Sequence, residues 1–236
     1  MTAERLVEDL LTHRSDDAAR GMARYFKTAP GEYGEGDVLL GVSVPTMLAV
    51  VKPYADLPPE QLEVLLESPL HEVRAAALAI MARQASLRRT RKDRRRELFD
   101  LYLRRHDRIN NWDLVDRAAR DVVGGYLVAH PDDTLTLLAR SPVRWERRTA
   151  IVATLAHLRA GAADPTFRVA ELLVDDRLDL VHKAVGWLLR EAGKVDPAGL
   201  LAFLDACAPT MPRTMLRSAL ERLDPAVRAH YLALGR

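Results

Sequence analysis

The 236-residue sequence predicts an all-α protein, and three observations carry that prediction. Apolar residues recur at i, i+3, i+4 and i+7 throughout, aromatic residues make up only 6%, and the pattern breaks at proline and glycine rather than at strand-like alternation. From the N-terminus, MTAERLVEDLL is charged from its fourth residue, so it reads as part of the protein and not as a secretory leader. Pro30 to Ser43, with Gly31, Gly34, Gly36 and Gly41, is expected to be a loop. Ala75 to Met81 has no alternation and is expected to be helical. Further breaks fall at Pro58-Pro59, Ser68-Pro69, His130-Pro131, Ser141-Pro142, Asp164-Pro165, Asp196-Pro197, Pro209 and Asp224-Pro225. An Asp before proline suits an N-cap followed by proline in the first turn, so Asp164, Asp196 and Asp224 are each expected to open a helix.

A weak repeat runs through these helices: a basic residue, two small or β-branched residues, then an apolar run. It appears at Arg74-Ala75-Ala76, Arg117-Ala118-Ala119, Arg148-Thr149-Ala150 and Lys183-Ala184-Val185. Those intervals suit a two-helix unit that buries its faces on its neighbours. The expected architecture is therefore an α-solenoid with a concave face that the recurring basic residues line, a surface suited to a long polymeric ligand. Chance similarity among Ala/Arg-rich helices is the alternative.

With 48% hydrophobic residues the chain has enough apolar matter for a real core, and its mixed charges and modest Gly and Pro content exclude disorder, collagen and fibre. Cys207 is the single cysteine, so neither a disulfide framework nor a thiolate metal cluster is possible. No run approaches membrane-helix length. The expected location is cytoplasmic, and a monomer is the expected state. The net charge of +2 conceals an asymmetry: residues 1–68 carry 6 Lys/Arg against 12 Asp/Glu, residues 69–150 carry 18 against 11, and the remainder 11 against 10. The excess peaks from Arg83 to Arg108. Either this is a solvated helix face or it is an electrostatic footprint for a polyanion.

The seven histidines are scattered without HExxH or an i, i+4 ligand pair, so no metal is expected. There is no phosphate-cradling loop and no GxSxG elbow, and Cys207 has no neighbouring His, so no cofactor and no serine or cysteine nucleophile is expected. What remains is tryptophan and carboxylate. Trp112 and Asp116 stand at i, i+4 and share a helix face; Arg148 follows Trp145, and Trp187 follows Lys183. Either the tryptophans are core and Asp116 is paired with Arg117 or Arg120, or these residues converge on one groove from different repeats.

Five blocks carry a family resemblance over nearly the whole chain: Met22-Ala23-Arg24-Tyr25, Leu40-Gly41-Val42-Ser43-Val44-Pro45, Trp112-Asp113-Leu114-Val115-Asp116, Trp145-Glu146-Arg147-Arg148-Thr149-Ala150-Ile151, and Lys183-Ala184-Val185-Gly186-Trp187-Leu188-Leu189-Arg190-Glu191. In their order and spacing the sequence resembles the AlkD-like DNA glycosylases of the DNA alkylation repair family, built from HEAT-like repeats. The resemblance implies a single HEAT-like repeat domain over residues 1–236, antiparallel helix pairs forming a curved, concave DNA-binding groove. It implies a catalytic carboxylate at Asp116 with Trp112, Arg148 and Trp187 around it, and DNA contacts from Tyr25, Lys183 and Arg190. The implied partner is double-stranded DNA containing alkylated bases. Two departures stand out: a longer loop from Gly31 to Val38, and Asn110-Asn111 where a bulkier residue often precedes the motif tryptophan. The implied activity is hydrolysis of the N-glycosidic bond of N3- or N7-alkylated purines in base excision repair, without a general acid; the alternative is a non-catalytic HEAT-like scaffold that binds DNA or protein.

Overall fold

The computed structural model describes residues 1–234 and is all-α. In chain order its helices are α1 (Ala3–Leu11), α2 (Asp16–Phe26), α3 (Val44–Val50), α4 (Pro59–Leu66), α5 (His71–Ser86), α6 (Lys92–Arg104), α7 (Trp112–Ala118), α8 (Gly125–Ala129), α9 (Thr134–Ala139), α10 (Arg144–Ala153), α11 (Leu155–Arg159), α12 (Asp164–Leu173), α13 (Asp179–Val195), α14 (Pro197–Cys207), α15 (Arg213–Ala219) and α16 (Pro225–Leu234). Between α7 and α8 the helix widens into a π turn over Ala119–Gly124. Among the described residues no helix is long and apolar enough to cross a membrane.

The helix starts follow the sequence. Asp196 caps α14 by accepting from the Gly199 amide, and Asp224 accepts from Ala226 just ahead of α16. Asp164 is the first residue of α12 rather than its cap, with Pro165 in the first turn. Residues 27–43 form the expected loop.

The chain divides into two compact units, Met1–Tyr126 and the residues from Leu127 onward. In the first, α5 is the central element, packed against α4, α7 and the π turn. Its apolar residues are buried nearly all round, as a helix without a polar stripe requires. In the second unit α13 holds the centre, against α10, α12, α14 and α15. Gly186 allows the close approach of α15, since a Cβ there would lie 2.5 Å from the carbonyl oxygen of Met215.

One local device recurs at the start of α5, α10 and α13. A side chain in the first turn or just beyond reaches back to the backbone carbonyl six residues earlier: Arg74 to Ser68 (3.0 Å), Arg147 to Ser141 (2.9 Å), and the His182 ring to Asp176. Both arginines also pair with a buried carboxylate, Arg74 with Asp37 (2.6 Å) and Arg147 with Asp176. The equivalent of Arg74 in α10 is thus Arg147, one residue before the Arg148 that the sequence repeat suggested. These basic residues tie chain connections together inside each unit, because a buried guanidinium needs both acceptors and a counter-charge.

Candidate functional site

The first unit gathers aromatic and ionised residues at the N-terminus of α7. Asn111 caps that helix: its Oδ1 accepts from the Trp112 amide (2.8 Å), and its Nδ2 donates to the Phe26 carbonyl (3.4 Å). The end of α2 is thereby held beside the start of α7. Phe26 stacks on Trp112 at 5.9 Å between centroids, and Tyr25 meets the same indole edge-on at 5.7 Å. Trp112 is half-buried, whereas Tyr25 is 63% exposed. Asp116 lies one turn along α7 from Trp112, half-buried and engaged in contacts of its own. Arg120 pairs with Asp121 (2.8 Å). Directly after this turn comes the π segment, a feature frequent at functional sites.

Beneath the aromatic pair lies a buried charge network. The His71 ring is 4.8 Å from that of Phe26; its Nδ1 is 3.0 Å from Asp37 Oδ2 and its Nε2 3.0 Å from Asp113 Oδ2. Arg74 donates to Asp37 Oδ1 and to Asn110 Oδ1 (3.1 Å), and Asn110 Nδ2 donates to Asp37 Oδ1 (2.9 Å). Both ring nitrogens face carboxylates, so the imidazolium is the form that fits. Burial opposes that charge, but the hydrogen bonds and charges of Asp113 and Asp37 outweigh it and raise the His71 pKa to about 9. Asp37 is likewise opposed by burial, and His71, Arg74 and Asn110 together bring it down to about 2. Two atoms of the network, Asp113 Oδ1 and Arg74 Nε, are buried without a hydrogen bond among the described residues.

The loop that carries Asp37 is itself fixed from α5. The buried Glu72 carboxylate accepts from the amides of Leu40 (2.9 Å), Gly41 (2.8 Å) and Val42 (3.2 Å). Gly41 has φ +79°, and a Cβ there would fall 2.1 Å from the Ser15 carbonyl oxygen. Both departures noted in the sequence therefore belong to this region, since Asp37 lies in the longer loop and Asn110 and Asn111 precede Trp112.

The second unit holds the other expected residues on α10 and α13. Lys183 is exposed and pairs with Asp179 (2.6 Å). One turn on, half-buried Trp187 lines a recess of about 360 Å³ with Leu155, Leu158, Arg159, Glu191 and Lys194. Arg190 pairs with Glu221 and with Glu191 (3.6 Å). Arg148 is only 6% exposed and donates to the Leu180 carbonyl, which ties α10 to the start of α13.

The sequence reading singles out none of Asp37, His71, Glu72 and Asp113, and it takes Arg74 only as a repeat residue lining a concave face, whereas Arg74 is buried. The available signal was local: a helix as apolar as Ala75–Met81 opens on His71-Glu72-Val73-Arg74, and polar groups entering a core need partners from elsewhere.

All-α packing, with aromatic residues of α2 set against Trp112 of α7 and a carboxylate one turn along α7, defines the class. The chain belongs to the DNA alkylation repair enzyme family, whose model matches residues 6–223. It is similar in fold to a solved structure described as a predicted DNA alkylation repair enzyme from Enterococcus faecalis. Identity to that structure is 18%, the match covers 90% of this chain and 98% of the other, and the TM-score is 0.69. No curated protein matches the sequence.

Proposed function

We propose that the protein is a DNA glycosylase that hydrolyses the N-glycosidic bond of cationic N3- or N7-alkylated purines, with Asp116 as the catalytic carboxylate. The carrying observation is the α7 arrangement: Asp116 stands one helical turn from an indole that presents an exposed aromatic neighbour, Tyr25. Membership of the repair family supports the choice of damaged DNA as substrate.

The chemistry suits a single carboxylate. Alkylation at N3 or N7 gives the base a formal positive charge, so it departs as a neutral molecule without needing a proton from a general acid. As the C1′–N bond breaks, positive charge moves to the deoxyribose, and the Asp116 carboxylate stabilises it electrostatically. The same group accepts a hydrogen bond from the attacking water and takes its proton as the C1′–O bond forms. Indole faces favour a cationic base by roughly 0.5–2 kcal/mol each, which gives Trp112 and Trp187 a lesion-selecting role. Tyr25, Lys183 and Arg190 contact the DNA in this reading. Arg148, being buried against Leu180, acts chiefly by holding α10 and α13 together. The HEAT-like organisation as one domain over residues 1–236, the action as a monomer and the cytoplasmic location belong to the same proposal.

The test is release of 7-methylguanine and 3-methyladenine from methylated duplex DNA, wild type beside Asp116→Asn. Wild type should release at least one base, and the variant neither, while both bind the duplex alike. A wild-type protein that releases neither base ends the glycosylase reading. A variant as active as wild type removes Asp116 from it.

A further inference from the structure

The segment with the greatest basic excess has a structure that the α7 site does not use. Residues 83–96 carry eight cations (Arg83, Arg88, Arg89, Arg91, Lys92, Arg94, Arg95 and Arg96) against the single acid Asp93. They span the end of α5, the following turn and the first turns of α6. The turn is built inward by polar side chains. Gln84 is buried and donates to the carbonyls of Ala55 (3.0 Å) and Leu57 (2.8 Å). Thr90 Oγ1 donates to the Gln84 carbonyl at 2.5 Å. Arg95 folds back over the turn, donating to Leu87 (2.8 Å) and Thr90 (3.3 Å).

With those groups spent on its own backbone, the turn presents Arg88, Arg89, Arg91 and Lys92 to solvent. Among the described residues the side chains of Arg83, Arg88 and Lys92 have no ion pair or hydrogen bond. Arg89 has only a 3.9 Å contact to an exposed Asp56, and Arg91 pairs with Asp93 at 2.9 Å in full exposure. Such pairs are worth little in water and exchange readily for other anions. Arg89, Arg91 and Arg94 also line a recess of about 290 Å³ at this turn. A rigid turn crowded with unneutralised cations is destabilised by mutual repulsion until a polyanion joins it.

We infer that the α5–α6 turn is a second nucleic-acid contact, gripping the phosphate backbone of duplex DNA away from the lesion. It rests on the reading of the protein as one that acts on DNA. His71 and the aromatic pair sit at the other end of α5, a helix of 16 residues and so roughly 24 Å long. The turn therefore meets a different stretch of the duplex from the one at Trp112. It contributes affinity without reading sequence, through arginine and lysine contacts to phosphate. No aromatic or apolar anchor accompanies the exposed cations of the turn, which favours a regular polyanion over a protein groove or an inserted membrane face.

The experiment replaces Arg88, Arg89 and Lys92 together with glutamine and measures affinity for an undamaged duplex of roughly 30 base pairs across a salt series. A control removes three ion-paired exposed arginines of the same unit, Arg5, Arg14 and Arg104. The loop variant should bind at least tenfold more weakly at low salt, and its log K against log salt should flatten by about 2 to 3, at ~0.9 per lost phosphate contact. Its unfolding midpoint should be no lower than that of wild type, and its base release at saturating protein should match. Should the triple variant prove unstable, Arg88→Gln with Lys92→Gln reads the same change at a smaller size.

Wild-type affinity and slope in the loop variant overturn the inference, as does an equal loss in the control. So does lost binding to phosphatidylserine vesicles with duplex affinity intact, which assigns the turn to a lipid surface. If wild type releases no alkylated base and the loop variant still loses duplex affinity, the glycosylase reading fails and the loop contact stands.

Discussion

Nε2 of His71 lies 3.0 Å from Oδ2 of Asp113, the residue next to Trp112 at the opening of α7. Through this contact a histidine on the central helix of the first unit sets the position of the helix that carries Asp116. The charge stack continues to Asp37 on the other ring nitrogen and to Arg74 beyond it. Two carboxylates thus share one imidazolium and one guanidinium in a buried place.

Replacing His71 with phenylalanine leaves Asp37 and Asp113 facing an apolar ring. Removing one partner of a buried ionic network typically costs about 3–5 kcal/mol. Urea unfolding should show a loss of that order, and a loss below ~1 kcal/mol would show that the network contributes nothing measurable to the fold.

The pH dependence follows from the two shifted groups. His71 is raised from 6.5 to about 9, so its contribution is complete below 6.5 and is lost as pH rises through 9. Asp37 is lowered from 3.8 to about 2, so its contribution is complete above 3.8 and is lost as pH falls through 2. Both act fully between about pH 4 and 6.5. The urea midpoint of wild type should decline from pH 6.5 to 9, and His71→Gln should flatten that alkaline limb and shrink, without abolishing, the acid one, which Arg74 and Asn110 still support.

Asp113 and Asp116 are three residues apart on one helix and should separate cleanly by assay. Asp113→Asn weakens the grip on His71 and should lower stability by about 1–3 kcal/mol, the range for a buried hydrogen bond to a charged partner. Asp116→Asn should abolish base release under conditions where the variant is fully folded. Loss of base release in both variants at full folding would place Asp113 in the chemistry as well.

Glu72 holds three amides of the loop that bears Asp37. Glu72→Ala strands those amides in a buried place, at about 1–3 kcal/mol for each that finds no water. Hydrogen exchange at Leu40, Gly41 and Val42 should accelerate far more than exchange in α4. Equal acceleration across the unit would mean global destabilisation and not release of the loop.

Tyr25 is the one largely exposed member of the aromatic cluster. Tyr25→Ala should cost less than about 1 kcal/mol of stability, because the ring is mostly in water, and should weaken binding to alkylated duplex. A variant with wild-type DNA affinity would confine Tyr25 to packing against Trp112.

Much of this protein is readable along the chain. Helical periodicity, proline breaks and acidic caps such as Asp196 act within a few residues, so local sequence determines them and the all-α class follows. The placement of Asp116 one turn from Trp112 is likewise local, since both sit on the single helix α7. The pattern of a basic residue before small ones does not fix the register: the role of Arg74 is repeated by Arg147 and His182 and not by Arg148 and Lys183, because what repeats is a reach to a carbonyl six residues back. Only tertiary structure could bring Asp37, His71 and Asp113 together, over separations of 34 and 42 residues. No one of these residues needs burial by itself. Folding α5 into the middle of its unit takes the His71 ring out of water, and the cost of leaving a buried polar group unpaired then selects its partners from distant parts of the chain.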